Sequence, residues 1–281
     1  MPTLWMILAT IFWGASFAIV KLALEDISVS SFLFLRFFIA TVSMLPSFMF
    51  YKIPWKAAAV RQGFYLGVLQ IALMFLQTWG LKTISSSLSG FLTGFSIVFV
   101  LAIRFIIRKQ IPSLVDIVAS IGCLAGLALF THSLQLSLEP GIFYTLVSAF
   151  FIALHTYLLD KYAETSNTTV LTFMQMVSLG AFFGLSCLLP SNTLQLPSQG
   201  ITWWYIIFCG ILCSSVAFWL QAQAQKTLSA FKVSMLLMLE PVFATILGYL
   251  VLGEQLYPQS YIGVCLILAS IWAINIRLKN M

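Results

Sequence analysis

The sequence predicts an all-α membrane protein of ten transmembrane helices in two inverted five-helix repeats, and three observations carry that prediction. Composition is the first: of 281 residues, 61% are apolar, 15% aromatic and only 8% charged, too little polar material to cover a water-facing surface. The second is segmentation, because the chain divides into ten apolar runs of about 20 residues, the length that crosses a hydrocarbon core of roughly 30 Å. The third is an internal echo at an offset of 144, where Leu76, Gln77, Lys82, Thr83, Ser85, Leu92, Val98 and Phe99 meet identical residues in 220–244. Apolar helices match one another by chance, so the shared Lys-Thr-x-Ser core weighs most.

The predicted spans are 4–22, 32–50, 64–81, 86–107, 114–131, 141–159, 170–189, 203–223, 233–252 and 261–276. The first has no Lys or Arg before Lys21 and no small-residue cleavage site, so it reads as a retained span. Polar, Pro- and Gly-marked connections separate the rest, as at 54–62, 108–112, 191–200 and 253–258, and none is long enough for a soluble domain. Long apolar runs exclude a β-barrel, whose strands alternate over about ten residues. A looser echo at offset 139 sets Phe12 over Phe151, Phe34 over Phe173 and Arg36 over Gln175. The duplication is therefore expected to cover the chain, with repeats at 1–132 and 133–281.

Five spans per copy is an odd number, so the second copy enters the membrane from the opposite side. Inverted repeats of this kind supply a route to alternating access around a midplane site. Eleven of the fourteen Lys and Arg fall on one side of the predicted spans, among them Lys56, Arg108, Lys161 and Lys226. Only Lys21 and Lys82 fall on the other, which places both termini in the cytoplasm. The positive net charge thus reports orientation, and no nucleic-acid partner is expected.

Two groups of motifs resemble a known family. Leu239-Glu240-Pro241-Val242-Phe243-Ala244, followed by Gly248, Leu252-Gly253-Glu254 and Gly263, is similar to the second-repeat signature of the EamA branch of the drug/metabolite transporter superfamily. Phe12-Trp13-Gly14-Ala15-Ser16-Phe17 and Leu35-Arg36-Phe37 resemble its first repeat. The resemblance implies a central cavity lined mainly by spans 1, 3, 4, 6, 8 and 9, a bacterial-type inner-membrane location, and transport without ATP hydrolysis. In one respect the two repeats differ: Ser96-Ile97 stands where the second repeat has Glu240-Pro241, so the halves of the cavity are electrostatically unequal.

Glu240 lies about halfway along its span, where a charge costs at least ~2.5 to 3.5 kcal/mol and must face protein or a wet cavity. It reads either as a proton-titrating or ammonium-binding carboxylate, or as a structural group capping broken backbone. Pro241 lacks a backbone donor, and together with Gly94 it marks a candidate helix break or gate. Arg36 either snorkels to the outer interface or binds an anionic group. His155, the only histidine within a predicted span, reads as a proton relay or as a helix-to-helix hydrogen bond. Gln77 and Gln221 occupy matched repeat positions, and with Gln223 they offer neutral partners to a substrate or to neighbouring helices. Trp13, Phe17, Trp79 and Trp219 are candidate aromatic wall residues, or ordinary packing.

Gly90 with Gly94, Gly122 with Gly126, and Gly180 with Gly184 are spaced for close helix approach, within the bundle or in a homodimer. The five cysteines all fall in apolar spans without metal-ligand spacing and read as small fillers. No nucleotide loop, His-Glu-x-x-His or nucleophile elbow is present, so neither an enzyme nor a cofactor or metal is expected. The leading expectation is a secondary or facilitated carrier exporting a small amphipathic metabolite, an amino acid or organic amine, as a monomer or homodimer. Proton coupling is left open. An uptake or exchange carrier for a larger charged metabolite such as a nucleotide-like cofactor is the alternative, and a non-transporting scaffold or channel the third.

Overall fold

The computed structural model describes residues 1–131, 139–190, 193–252 and 258–279. Among them the chain is all helical: α1 Pro2–Ala23, α2 Val29–Phe50, α3 Ala57–Leu81, α4 Ser86–Gly94, α5 Ser96–Arg108, α6 Leu114–Thr131, α7 Pro140–Ala163, α8 Thr168–Ser186, α9 Gly200–Gly210, a π-helical segment Ile211–Val216, α10 Ala217–Ala224, α11 Ala230–Leu237, α12 Glu240–Leu252 and α13 Pro258–Lys279. Eight stretches are long and apolar enough to cross a membrane, and two shorter apolar helices cover Leu114–Leu129 and Tyr261–Ala273. Side chains such as Phe50, Leu188 and Trp272, each more than two-thirds exposed, form the apolar outer surface that lipid requires.

Local chemistry sets the helix starts. Ser28, Ser85, Asn167 and Ser229 each cap a helix, their side chains accepting a backbone N–H of the first turn. Ser85 and Ser229 stand 144 residues apart and Ser28 and Asn167 139 apart, the two offsets found in the sequence. Pro2 and Pro140 occupy first-turn positions, where a missing N–H leaves no bond unmade.

Two features refine the expected spans. Spans 4 and 9 are each broken near the middle, at Phe95 and at Met238–Leu239, where tight i→i+3 bonds (Phe95 N to Leu92 O, 3.2 Å; Leu239 N to Leu236 O, 3.0 Å) replace the α pattern. Pro241 therefore sits in the first turn of α12 and not inside a continuous helix, and Gly94 ends α4. The connection expected at 54–62 is shorter: α3 starts at Ala57, because the alanines favour helix and Arg61 and Gln62 can be solvated beyond the apolar run.

Contacts between connections fall into two groups, one at each end of the bundle. At one end Gln195 Oε1 accepts from Ser28 N (3.0 Å), Lys21 Nζ donates to Ile84 O (3.2 Å), and Asp26 accepts from Ser198 and Gln199. At the other, Ser166 Oγ donates to Gln62 Oε1 (2.6 Å) and Arg108 meets Asp160 at 3.8 Å. These groupings follow the alternation of a chain that runs end to end with each pass. The glycine stripes are occupied within the chain: Gly90 faces Pro241, Gly122 and Gly126 face α13, and Gly184 faces Phe34.

Candidate functional site

The break between α11 and α12 opens onto a cavity in the middle of the bundle. Trp13 and Ser16 of α1, Arg36 of α2, Leu73, Met74 and Gln77 of α3, Ile152, His155 and Thr156 of α7, Phe218 and Gln221 of α10, and Leu237 and Glu240 line it. About 50 Å³ is open to the centre of a water molecule, within about 500 Å³ of empty space. A smaller adjoining space is bounded by Thr93, Gly94 and Ser96 together with Ile152, Leu237 and Glu240. Glu240 thus stands where both helix breaks meet. α2 contributes Arg36, although the resemblance leaves that helix off the lining.

Close helix approach places Glu240. Gly14 of α1 lies against α12 so tightly that a Cβ there would meet the Phe243 Cβ and, at 2.8 Å, the Glu240 carbonyl oxygen. Pro241 packs on Gly90 of α4, its Cα 3.1 Å from where a Cβ would stand. Backbone contact on both sides fixes the start of α12. Among the described residues, the Glu240 carboxylate has neither a hydrogen bond nor an ion pair.

Arg36 is 3% exposed, so it does not snorkel. Its Nε donates to Ser214 Oγ at 2.8 Å, and its guanidinium lies 5.4 Å from the Phe37 ring centre. Ser214 belongs to the π-helical segment, and its own hydroxyl donates to Cys209 O, five residues back, at 2.8 Å. The same segment turns the Cys213 carbonyl toward Trp13, whose Nε1 donates to it at 2.8 Å. Trp13 then rests on Phe218, ring centres 5.0 Å apart. No carboxylate lies within ion-pairing distance of Arg36 among the described residues. The cavity therefore carries an acid and a base that are not neutralised by each other.

His155 Nε2 and Gln175 Oε1 are 2.7 Å apart, and Gln175 Nε2 donates to Leu171 O at 3.0 Å. Among the described residues, Gln221 Oε1 and Thr156 Oγ1 are buried without a partner.

Of the residues singled out in the sequence, the structure brings Trp13, Arg36, Gln77, His155, Gln221 and Glu240 together in the main cavity, with Gly94 and Ser96 beside it. Others lie elsewhere. Phe17 is buried in the core. Trp79 is 41% exposed, with Lys82 Nζ 5.0 Å from its ring. Trp219 donates to Thr169 Oγ1 in a separate lateral groove, and Gln223 does not line the cavity. The neighbouring Gln225 donates to Thr156 O at 2.8 Å. Sequence reasoning missed Ser214, Phe218 and Met74. It also left Gln70, fully buried with both amide atoms unpartnered, out of the polar set. The Cys-Ser-Ser run carries no signal for a π turn, whereas Gln175 was marked by its match to Arg36.

Apolar spanning helices around a central cavity of mixed polar and apolar lining define a multi-pass membrane protein. The chain belongs to the EamA-like transporter family, whose model matches residues 1–132 and 139–276. It is 26% identical over 270 residues to an uncharacterized transporter of Archaeoglobus fulgidus, covering 96% of this chain and 84% of that protein. A crystal structure of a protein 14% identical to it has the same fold, with a TM-score of 0.81 over 99% of this chain and 98% of the other.

Proposed function

We propose that this protein is an inner-membrane carrier that exports a small zwitterionic or cationic metabolite, an amino acid or organic amine, by alternating access without nucleotide hydrolysis. One observation carries the reading: Arg36 and Glu240 line a single buried cavity, and neither is paired with the other. A substrate carboxylate suits the Arg36 fork, an ammonium group suits Glu240, and Trp13 and Phe218 offer apolar faces to the side chain. An ionisable acid and base that do not pair with each other at this depth are unfavourable without an occupant, which favours a ligand over a purely structural pair.

Ten spans in two inverted repeats, 1–132 and 133–281, are part of the proposal. Support comes from the N-caps recurring at both offsets and from the paired helix breaks at Phe95 and Met238–Leu239. The Lys and Arg bias supports cytoplasmic termini.

The test is untargeted metabolite profiling of cells and medium for the wild type, Glu240→Gln and an empty vector, followed by counterflow of any shifted compound in proteoliposomes. Export of an amine or amino acid by the wild type alone is expected. An equal shift by both versions would make Glu240 structural, and no saturable counterflow would overturn the carrier. Counterflow with and without an imposed pH gradient separates proton coupling from facilitated diffusion.

A further inference from the structure

His155 and Gln175 form a hydrogen-bonded pair on the α7 side of the cavity, and its polarity is fixed by a third atom. The Gln175 amide nitrogen donates to Leu171 O at 3.0 Å. Turning the amide over would set its oxygen against that carbonyl oxygen, two acceptors facing each other, so Oε1 is the atom that meets His155. An amide oxygen only accepts, so the imidazole must donate from Nε2 across the 2.7 Å contact. A neutral imidazole carries one N–H, and Nδ1 is left as a bare acceptor. No described residue donates to Nδ1, while His155 lines the cavity and Gln175, 1% exposed, lies behind it. Phe218 meets the ring at 6.2 Å with planes 77° apart, holding it from the side.

We infer that Gln175 is a positioning residue that locks His155 in the Nε2–H tautomer, so that the cavity presents Nδ1 as a fixed acceptor selecting ligands that carry an N–H or O–H at that point. The inference deepens the carrier reading and rests on it for the ligand, but not for the tautomer. It assigns His155 to recognition by hydrogen bonding. The locked ring keeps its only proton on the side away from the cavity, an arrangement unsuited to relaying one. The repeat counterpart of Gln175 is Arg36, so the same position on α2 and α8 would serve the site in both halves, directly in one and through His155 in the other.

The sequence contains two histidines, so a His132→Asn background leaves a single imidazole to observe. With ¹⁵N-histidine labelling in nanodiscs at pH about 8, where an ordinary imidazole is neutral, the wild-type pair is expected to show one protonated nitrogen assigned to Nε2 and one bare nitrogen assigned to Nδ1. Gln175→Met keeps the volume and removes the acceptor, and the two resonances should converge toward the average of both tautomers. An averaged or Nδ1–H pattern in the wild type, or an unchanged pattern in Gln175→Met, would overturn the lock. The wild-type spectrum decides this even if the variant fails to fold. Methylammonium and tetramethylammonium then probe the ligand requirement, having equal charge but differing in N–H groups. Methylammonium alone should move the Nδ1 resonance; equal responses to both, including none, would overturn the selection of donors. Neither result depends on observing transport, so a failed carrier assay and a failed lock are distinguishable.

Discussion

Glu240 and Arg36 are an acid and a base in one cavity, yet different neighbours give them different sensitivities. Glu240 is unpaired among the described residues, so Glu240→Gln removes the carboxyl group without breaking a contact. Thermal stability is expected to hold or rise, while counterflow of an ammonium substrate falls about tenfold to a hundredfold, from a charge-assisted bond of about 1.5–3 kcal/mol. Undiminished counterflow would make the carboxylate a bystander. Arg36 is held by Ser214, and Ser214→Ala strands a buried donor at about 1–3 kcal/mol. That variant should melt earlier in nanodiscs and raise KM, and Ser214→Thr should restore both. Melting and KM equal to the wild type in Ser214→Ala would show that the π segment does not position Arg36. The sequence pointed to both charged residues, because intramembrane charge is rare and needs a reason. It did not reveal Ser214, since one serine among many apolar neighbours acquires a role only through the backbone register of a π turn.

At the scale of elements, the span positions were legible from apolar length, and Gly94 and Pro241 marked where two of them break, although not the form of the break. Pro241 signalled an irregularity, but its effect is to begin α12 and leave a tight turn before it. The matching break at Phe95 has no proline and follows Gly94. What holds α12 in place is close packing on α1, and Gly14→Val tests it. The added carbons would press on backbone atoms of Glu240 and Ala244, which cannot swing aside, so a loss of about 1–3 kcal/mol is expected as a lower melting temperature; no change would place α12 farther from α1. A second element-level feature joins the α1–α2 and α8–α9 connections. The Asp26 carboxylate accepts from the Ser198 hydroxyl and from the backbone of Ser198 and Gln199. These bonds, led by the Ser198 hydroxyl and followed by that of Thr202, hold its pKa down from 3.8 to about 2. A depressed carboxylate stabilises its folded contacts above the unfolded value and loses that contribution as pH falls through the folded one. Hydrogen exchange in 193–199, corrected for intrinsic rate, should therefore rise as pH falls from about 4 toward 2. Asp26→Asn should show the faster exchange already at neutral pH, and a flat profile in the wild type would exclude the latch.

Across the whole molecule, the Asp26 latch and the Arg108–Asp160 pair sit at opposite ends of the bundle, and a carrier working by alternating access must loosen them in turn. Which end faces the cytoplasm decides which of the two is the inner closure. That orientation is written in where Lys and Arg fall and not in the packing, because the proposed inverted halves would pack alike either way up. Eleven of the fourteen basic residues lie toward the Arg108 end or at its connections, so that end is predicted to be cytoplasmic. A chain with its five native cysteines replaced, carrying either Leu196→Cys in the exposed stretch before α9 or Lys56→Cys before α3, separates the two orientations. Leu196→Cys should react with a membrane-impermeant maleimide on intact cells, and Lys56→Cys only after permeabilisation. The reverse pattern would invert the protein in the membrane and put the Asp26 latch inside.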